Sequence, residues 1–164
     1  MTSPDENLLQ RTDLAKLNLG CGWDIVDGFV NVDVAKLDGV DVVTDLDTGP
    51  WPWDDGSVSY IKASHVFEHL ADPILFMTES WRVLHPGGIL DIRCPYYRHP
   101  NSFTDPTHRR HCTHRTWEYW CPGKPLHQAY GPGMGGDIAQ YEELVMTLNG
   151  VEWEEIQAVL RKIG

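Results

Sequence analysis

Three observations predict an α/β chain built on a mostly parallel sheet. Five short apolar runs follow one another across residues 17–94, a capped amphipathic helix separates the last two, and the first run ends in a Gly-Cys-Gly bend. The runs at 17–19, 29–32, 40–43, 58–63 and 89–94 are β-branched or apolar and bounded by Gly, Asp or Pro, as buried strands are. Asp72 is a good N-cap and Pro73 suits the first helical position. Ile74, Leu75, Met77, Trp81 and Leu84 recur at helical steps, so the predicted helix lays one face on the sheet. Pro86-Gly87-Gly88 should stop it and turn the chain into the fifth strand. Helix followed by strand implies a crossover and parallel pairing.

The remaining connections are thin. Residues 22–29 leave room for one helical turn at most, and 45–57 is rich in Pro, Gly and Trp. The sheet should therefore carry reduced helices. After Pro95 the chain becomes rich in His, Arg, Pro, Gly and aromatics as far as 137, and only 113–120 has a helical look. An irregular segment of this length is expected to be a lid or binding loop. Residues 138–164 read as two antiparallel strands turning at Asn149-Gly150, a hairpin dipeptide. The rival is a terminal helix through Ile156, Val159, Leu160 and Ile163. The expected organisation is one domain: a polar arm at 1–13, a core at 14–97, a loop region at 98–137 and the strand pair.

Composition narrows the function. With 164 residues and an apolar fraction of 41%, the chain can bury a real core. A net charge of −11 repels a phosphate backbone and makes nucleic acid the least favoured partner. Arg82, Arg93, Arg98, Arg109, Arg110 and Arg115 could still form a local basic rim. No apolar run reaches the ~20 residues of a membrane span, and the N-terminus lacks a secretory pattern, so the expected location is cytoplasmic. Four cysteines at irregular spacing read as reduced, buried small side chains.

The bend carries the chemistry. Glycines flanking Cys21 let a backbone approach a ligand closely, and converging N–H groups there favour a carboxylate. Asp33, at the end of the second run, can accept hydrogen bonds from ribose hydroxyls. The pair describes a nucleoside-bearing ligand across strand tips. The third glycine of the dinucleotide fingerprint is missing and no phosphate-loop lysine follows, which argues against NAD and ATP.

"LNLGCG", "GFVNVD", "VVTDLD", "PWPWDDGSVSYIKASHVFEHL" and "RVLHPGGILDIRCP" occur in the order found in class I S-adenosylmethionine-dependent methyltransferases. Over residues 16–97 the chain resembles that family, and most of all its short bacterial and phage branch, for which the location would be the host cytoplasm. "DPTHRRH" also resembles phage members. The resemblance implies a Rossmann-like sheet sandwiched by helices, S-adenosylmethionine as cofactor, and methyl transfer. It implies that Gly20, Cys21 and Gly22 line the methionine part of the cofactor, Asp33 the ribose, and Asp45 with Leu46 the adenine. Ser64 and His65 would flank the sulfonium. Asn18 stands where the family usually has an acidic residue, and its amide could accept from the cofactor's ammonium group.

The acceptor is expected to be a small molecule, sugar or nucleotide. A catalytically weak binding module is the alternative and a nucleic-acid methyltransferase the third reading. His65 is the first candidate for a base, with Asp105 and His108 second. Glu68 and His69 are expected to orient their loop, Trp51 and Trp53 to plug the sheet end, and Tyr96 and Tyr97 to shape the acceptor pocket. His108, His111, Cys112, His114, Cys121 and His127 could all ligate a metal, yet none form a finger-spaced pair, so no metal is expected and the run reads as a polar wall.

Overall fold

The computed structural model describes residues 14–136, 138–149 and 154–164. The polar arm at 1–13 and the Gly150 half of the expected hairpin turn lie outside these. In chain order the elements are β1 (Ala15–Leu19), β2 (Val30–Asp33), β3 (Val42–Val43), β4 (Val58–Ser64), α1 (Pro73–Val83), β5 (Leu84–Pro95), α2 (Asn101–Thr104), α3 (Pro125–Tyr130), β6 (Tyr141–Asn149) and β7 (Glu155–Lys162).

One seven-stranded sheet runs β3-β2-β1-β4-β5-β7-β6. The first five strands are mutually parallel; β7 is antiparallel to β5, and β6 to β7. The C-terminal segment is thus the expected strand pair and not a helix. Order reverses between β1 and β4, and in open α/β sheets the crevice beyond the strand ends at such a point is where ligands bind. Leu17, Val32, Ile61, Leu90, Ile92 and Leu160 are fully buried, each contributing about 1.5–3 kcal/mol by leaving water.

The helix cap formed as read. Asp72 Oδ1 accepts from the N–H groups of Ile74 and Leu75, at 3.0 and 2.9 Å, with Pro73 in the first turn. The helix ends one residue before the expected Leu84, which already pairs with Val58 of β4. The ladder shifts register before Tyr60 meets Ile89, so Pro86-Gly87-Gly88 is absorbed as an irregularity within β5. The helix expected at 113–120 is a correction: only Glu118–Trp120 coil, as a 3₁₀ turn. Trp117 and Trp120 are buried, so their spacing reflects core packing and not a helix. Among the described residues α1 is the only helix longer than six residues. The four cysteines are buried and unpaired.

Trp51 is buried, packs edge-on against Phe76 and donates from Nε1 to Leu46 O at 3.3 Å. The connection that carries Asp45 and Leu46 is strapped to α1 from below. Glu79 accepts from Trp51 N and from Arg82 Nε and Nη2, while Arg82 also reaches Trp51 O, Trp53 O and Asp55.

Candidate functional site

Two crevices open at the C-terminal ends of the parallel strands, and His65 and His69 line both. The smaller, about 280 Å³, is lined by Gly20, Asp33, Val34, Thr44, Asp45, Leu46, Asp47 and Val66 besides. Asp33 and Asp45 therefore face one hollow, together with the first glycine of the bend.

Gly20 has φ +60, and an added Cβ would overlap Val66 Cγ2. Gly22 has φ +50 but open space around it. The predicted nest of free N–H groups is not there. Cys21 N donates to Val32 O at 2.9 Å, and Gly22 N donates to Asp33 Oδ2 at 2.8 Å. Asp33 thus closes the bend, its Oδ1 accepting from Ala35 N at 2.9 Å. Neither Cys21 nor Gly22 lines the crevice.

Asn18 also lies outside it. Its amide donates to Asp24 O at 2.7 Å and to Asn31 Oδ1 at 3.0 Å, leaving only its carbonyl oxygen for a ligand. Asn31 is an organiser that the sequence reading missed. It accepts from Val26 N, donates to Val26 O and Phe29 O, and contacts Asp41 through both side chain and backbone. Inside a strand it reads as an ordinary surface residue; only its 4% exposure reveals the role.

Asp45 Oδ1 accepts from Asp47 N at 2.9 Å. Asp47, unforeseen, accepts from Ala71 N and Asp72 N and ties this loop to the start of α1. Ser64 ends β4 and lines neither crevice.

The larger cavity, about 570 Å³, adds Glu68, Pro95, Asn101, Thr104, Asp105, Pro106, His108, Glu154 and Glu155. The stretch carrying Asp105 and His108 docks onto the turn after β4. Arg109 N donates to Glu68 O at 2.8 Å, and Arg110 donates to Phe67 O while lying over the Phe67 ring. Asp105 and His108 line the cavity together but do not bond each other. Asp105 Oδ1 accepts from Thr107 N and Oγ1, bonds that hold its carboxyl below the usual range. His108 Nδ1 meets Ser102 O at 3.0 Å.

His65 is the one non-glycine residue with positive φ, +55, among the described residues, a sparsely populated conformation typical of functional sites. Its Nε2 lies 2.7 Å from Glu155 Oε1 and its Nδ1 3.3 Å from Glu68 Oε1. Glu68, then Glu155, raise its pKa to about 9 against the opposing effect of burial. That elevation favours the imidazolium, which has no lone pair, and so weighs against the expected role of His65 as the first candidate base.

Residues 12–92 match the family described as a methyltransferase domain. No curated protein matches the chain by sequence. Among solved structures it resembles a chain of the complex between the Haloferax volcanii Trm112 methyltransferase activator and a methyltransferase. That match has a TM-score of 0.58 and 16% identity, over 98% of this chain and 89% of the other. A Mesorhizobium loti S-adenosylmethionine-dependent methyltransferase gives 0.58 and 12%, over 91% of each chain. The Burkholderia thailandensis 1,6-didemethyltoxoflavin-N1-methyltransferase, bound to 1,6-didemethyltoxoflavin and S-adenosylhomocysteine, gives 0.59 and 12%, over 92% and 71%. At these identities the likeness is one of fold.

Proposed function

We propose, because residues 12–92 match the methyltransferase-domain family, that this chain is a class I S-adenosylmethionine-dependent methyltransferase and methylates a small polar molecule held in the larger cavity while the smaller crevice holds the cofactor. On this reading the chain is a single domain, with 14–97 serving the cofactor and 98–137 the acceptor. The observation that carries it is the shared wall: His65 and His69 line both hollows, so a donor in one and an acceptor in the other meet there.

The residues present suit the cofactor. A side chain at position 20 would collide with Val66, so Gly20 keeps the crevice floor low. Asp33 can take ribose hydroxyls on lone pairs its backbone donors leave free. Asp45, whose Oδ2 takes no hydrogen bond among the described residues, can accept from the adenine amino group. When bound, the cofactor would supply an activated methyl, the carbon–sulfur electron pair staying on sulfur while a lone pair of the acceptor's oxygen or nitrogen forms the new bond and the acceptor's proton passes to a base or to water. The protein's task is alignment, worth roughly 7–11 kcal/mol in favourable systems.

Four carboxylates, Glu68, Asp105, Glu154 and Glu155, border the acceptor cavity. They oppose a phosphate, so a sugar or other neutral or cationic molecule is favoured over a nucleotide, and nucleic acid is disfavoured further by the net charge of −11. Among the described residues no helix is long and apolar enough to cross a membrane.

Calorimetric titration with S-adenosylhomocysteine tests the reading. The wild-type chain should bind one equivalent, and Asp45→Asn should weaken binding at least about tenfold, or 1.4 kcal/mol. Absent binding, or an Asp45→Asn variant that binds as tightly as wild type, would overturn it.

A further inference from the structure

The turn after β4 holds a buried carboxylate whose pairing with His65 leaves it short of hydrogen bonds. Glu68 is 1% exposed, and among the described residues neither of its side-chain oxygens has a hydrogen-bond partner. Among the described residues Oε1 has the His65 ring 3.3 Å away, an ion pair without hydrogen-bond alignment, and Oε2 has no hydrogen-bond partner. A buried acid normally has its lone pairs filled, since leaving them empty costs about 1–3 kcal/mol or more. Yet Glu68 lines the larger cavity, beside His69 and His108.

The two imidazoles are oriented alike. Ser102 O can only accept, so the hydrogen of His108 sits on Nδ1, which lies 3.0 Å away. Thr107 Oγ1 spends its hydrogen on Asp105 Oδ1 at 2.6 Å, so it accepts from His69 Nδ1 at 2.9 Å. Both rings therefore keep a lone pair on Nε2. One ligand atom each from Glu68, His69 and His108 lie within 4.8 Å of one another, and the rings meet edge to face at 4.7 Å. Holding Nδ1 of each ring through a carbonyl or a carboxylate relay is the outer-shell arrangement of metal-binding histidines.

We propose that Glu68, His69 and His108 form a site for a divalent transition-metal cation, of the zinc, manganese or iron(II) class. Two imidazoles and one carboxylate suit borderline cations and not calcium or magnesium, and three protein ligands leave positions open toward the acceptor cavity. Asp105 is then a positioning residue, acting through Thr107 on His69. The site revises the expectation of no metal drawn from the histidine-rich run. Only His108 of that run takes part; the other two ligands come from "HVFEHL", forty residues earlier in the chain.

The site stands without the methyl-transfer reading, and its test is separate. The full chain, stripped with a chelator, is titrated with zinc chloride by calorimetry and with cobalt(II) chloride by visible absorbance. One equivalent should bind, and His69→Ala and His108→Ala should each weaken binding at least about a hundredfold, with loss of the cobalt d–d band. Thr107→Val, which touches no metal, should weaken it about 10–100-fold. His127→Ala, on α3, is the control and should bind as wild type does. S-adenosylhomocysteine titration of the same variants reports whether the cofactor crevice survives. No stoichiometric binding, or binding indifferent to His69→Ala and His108→Ala, overturns the proposal.

Discussion

Gly20 and Gly22 look equivalent in the sequence, and both adopt the left-handed conformation, but they do different work. At Gly22 the backbone alone demands glycine, because space around it is open. Alanine there should cost about 1–2 kcal/mol, the ordinary penalty for an L-residue in that region. At Gly20 the same penalty is joined by a collision with Val66, which itself lines the smaller crevice. Relief requires Val66 to move, and the crevice wall with it. Gly20→Ala should therefore destabilise more than Gly22→Ala in urea unfolding and should abolish S-adenosylhomocysteine binding, while Gly22→Ala keeps most of it. Equal losses of affinity would show that the bend acts through its conformation alone.

The elements show what a single sequence discloses. β1, β2 and the capped start of α1 were legible because their signals are local: an apolar run, a glycine bend, an Asp-Pro cap. The facing of Asp33 and Asp45 was legible because one ends and the other follows a strand whose neighbour could be guessed. The His65 environment was not, since Glu155 lies 90 residues away and reaches it only because β7 pairs antiparallel with β5. The Glu79–Arg82 strap was equally hidden, its partners being loop carbonyls and N–H groups. Arg82→Met should lower stability by about 2–4 kcal/mol, because it leaves Glu79 charged and without its bidentate partner. It should also weaken S-adenosylhomocysteine binding, although neither residue touches the crevice, since the strapped segment follows Asp45 and Leu46. Arg82, ahead of the opposing effect of burial, holds the Glu79 carboxyl below its ordinary range. A lowered folded-state value stabilises above the unfolded pKa of about 4.3 and is lost as pH falls through the folded one. The stability difference between wild type and Arg82→Met, from denaturant melts across pH, should accordingly shrink on the acid side and stay flat near neutrality. A difference that persists unchanged far into the acid range would mean that the strap acts by packing and not by charge.

For the molecule as a whole, the sheet order puts both hollows at the reversal between β1 and β4, and the chain carries a net charge of −11. Those two facts act together on the cofactor. S-adenosylmethionine carries one more positive charge than S-adenosylhomocysteine, the sulfonium, and is otherwise nearly the same shape. An acidic body surrounding a crevice that holds Asp33, Asp45 and Asp47 attracts that extra charge over a range set by screening, a Debye length of about 10 Å at 0.1 M salt. The preference for the methylated form over the spent product should thus be partly a property of the whole charge distribution, and so depend on salt. Titrations at about 20 mM and about 300 mM sodium chloride bracket the change from a Debye length that spans the crevice to one that does not. Affinity for S-adenosylmethionine should fall several-fold between them while that for S-adenosylhomocysteine changes less than about twofold. A matched fall for both would assign the discrimination to contacts at the sulfur itself, in which case the imidazolium of His65, close by and of the same sign, becomes the group whose replacement by glutamine should alter the ratio.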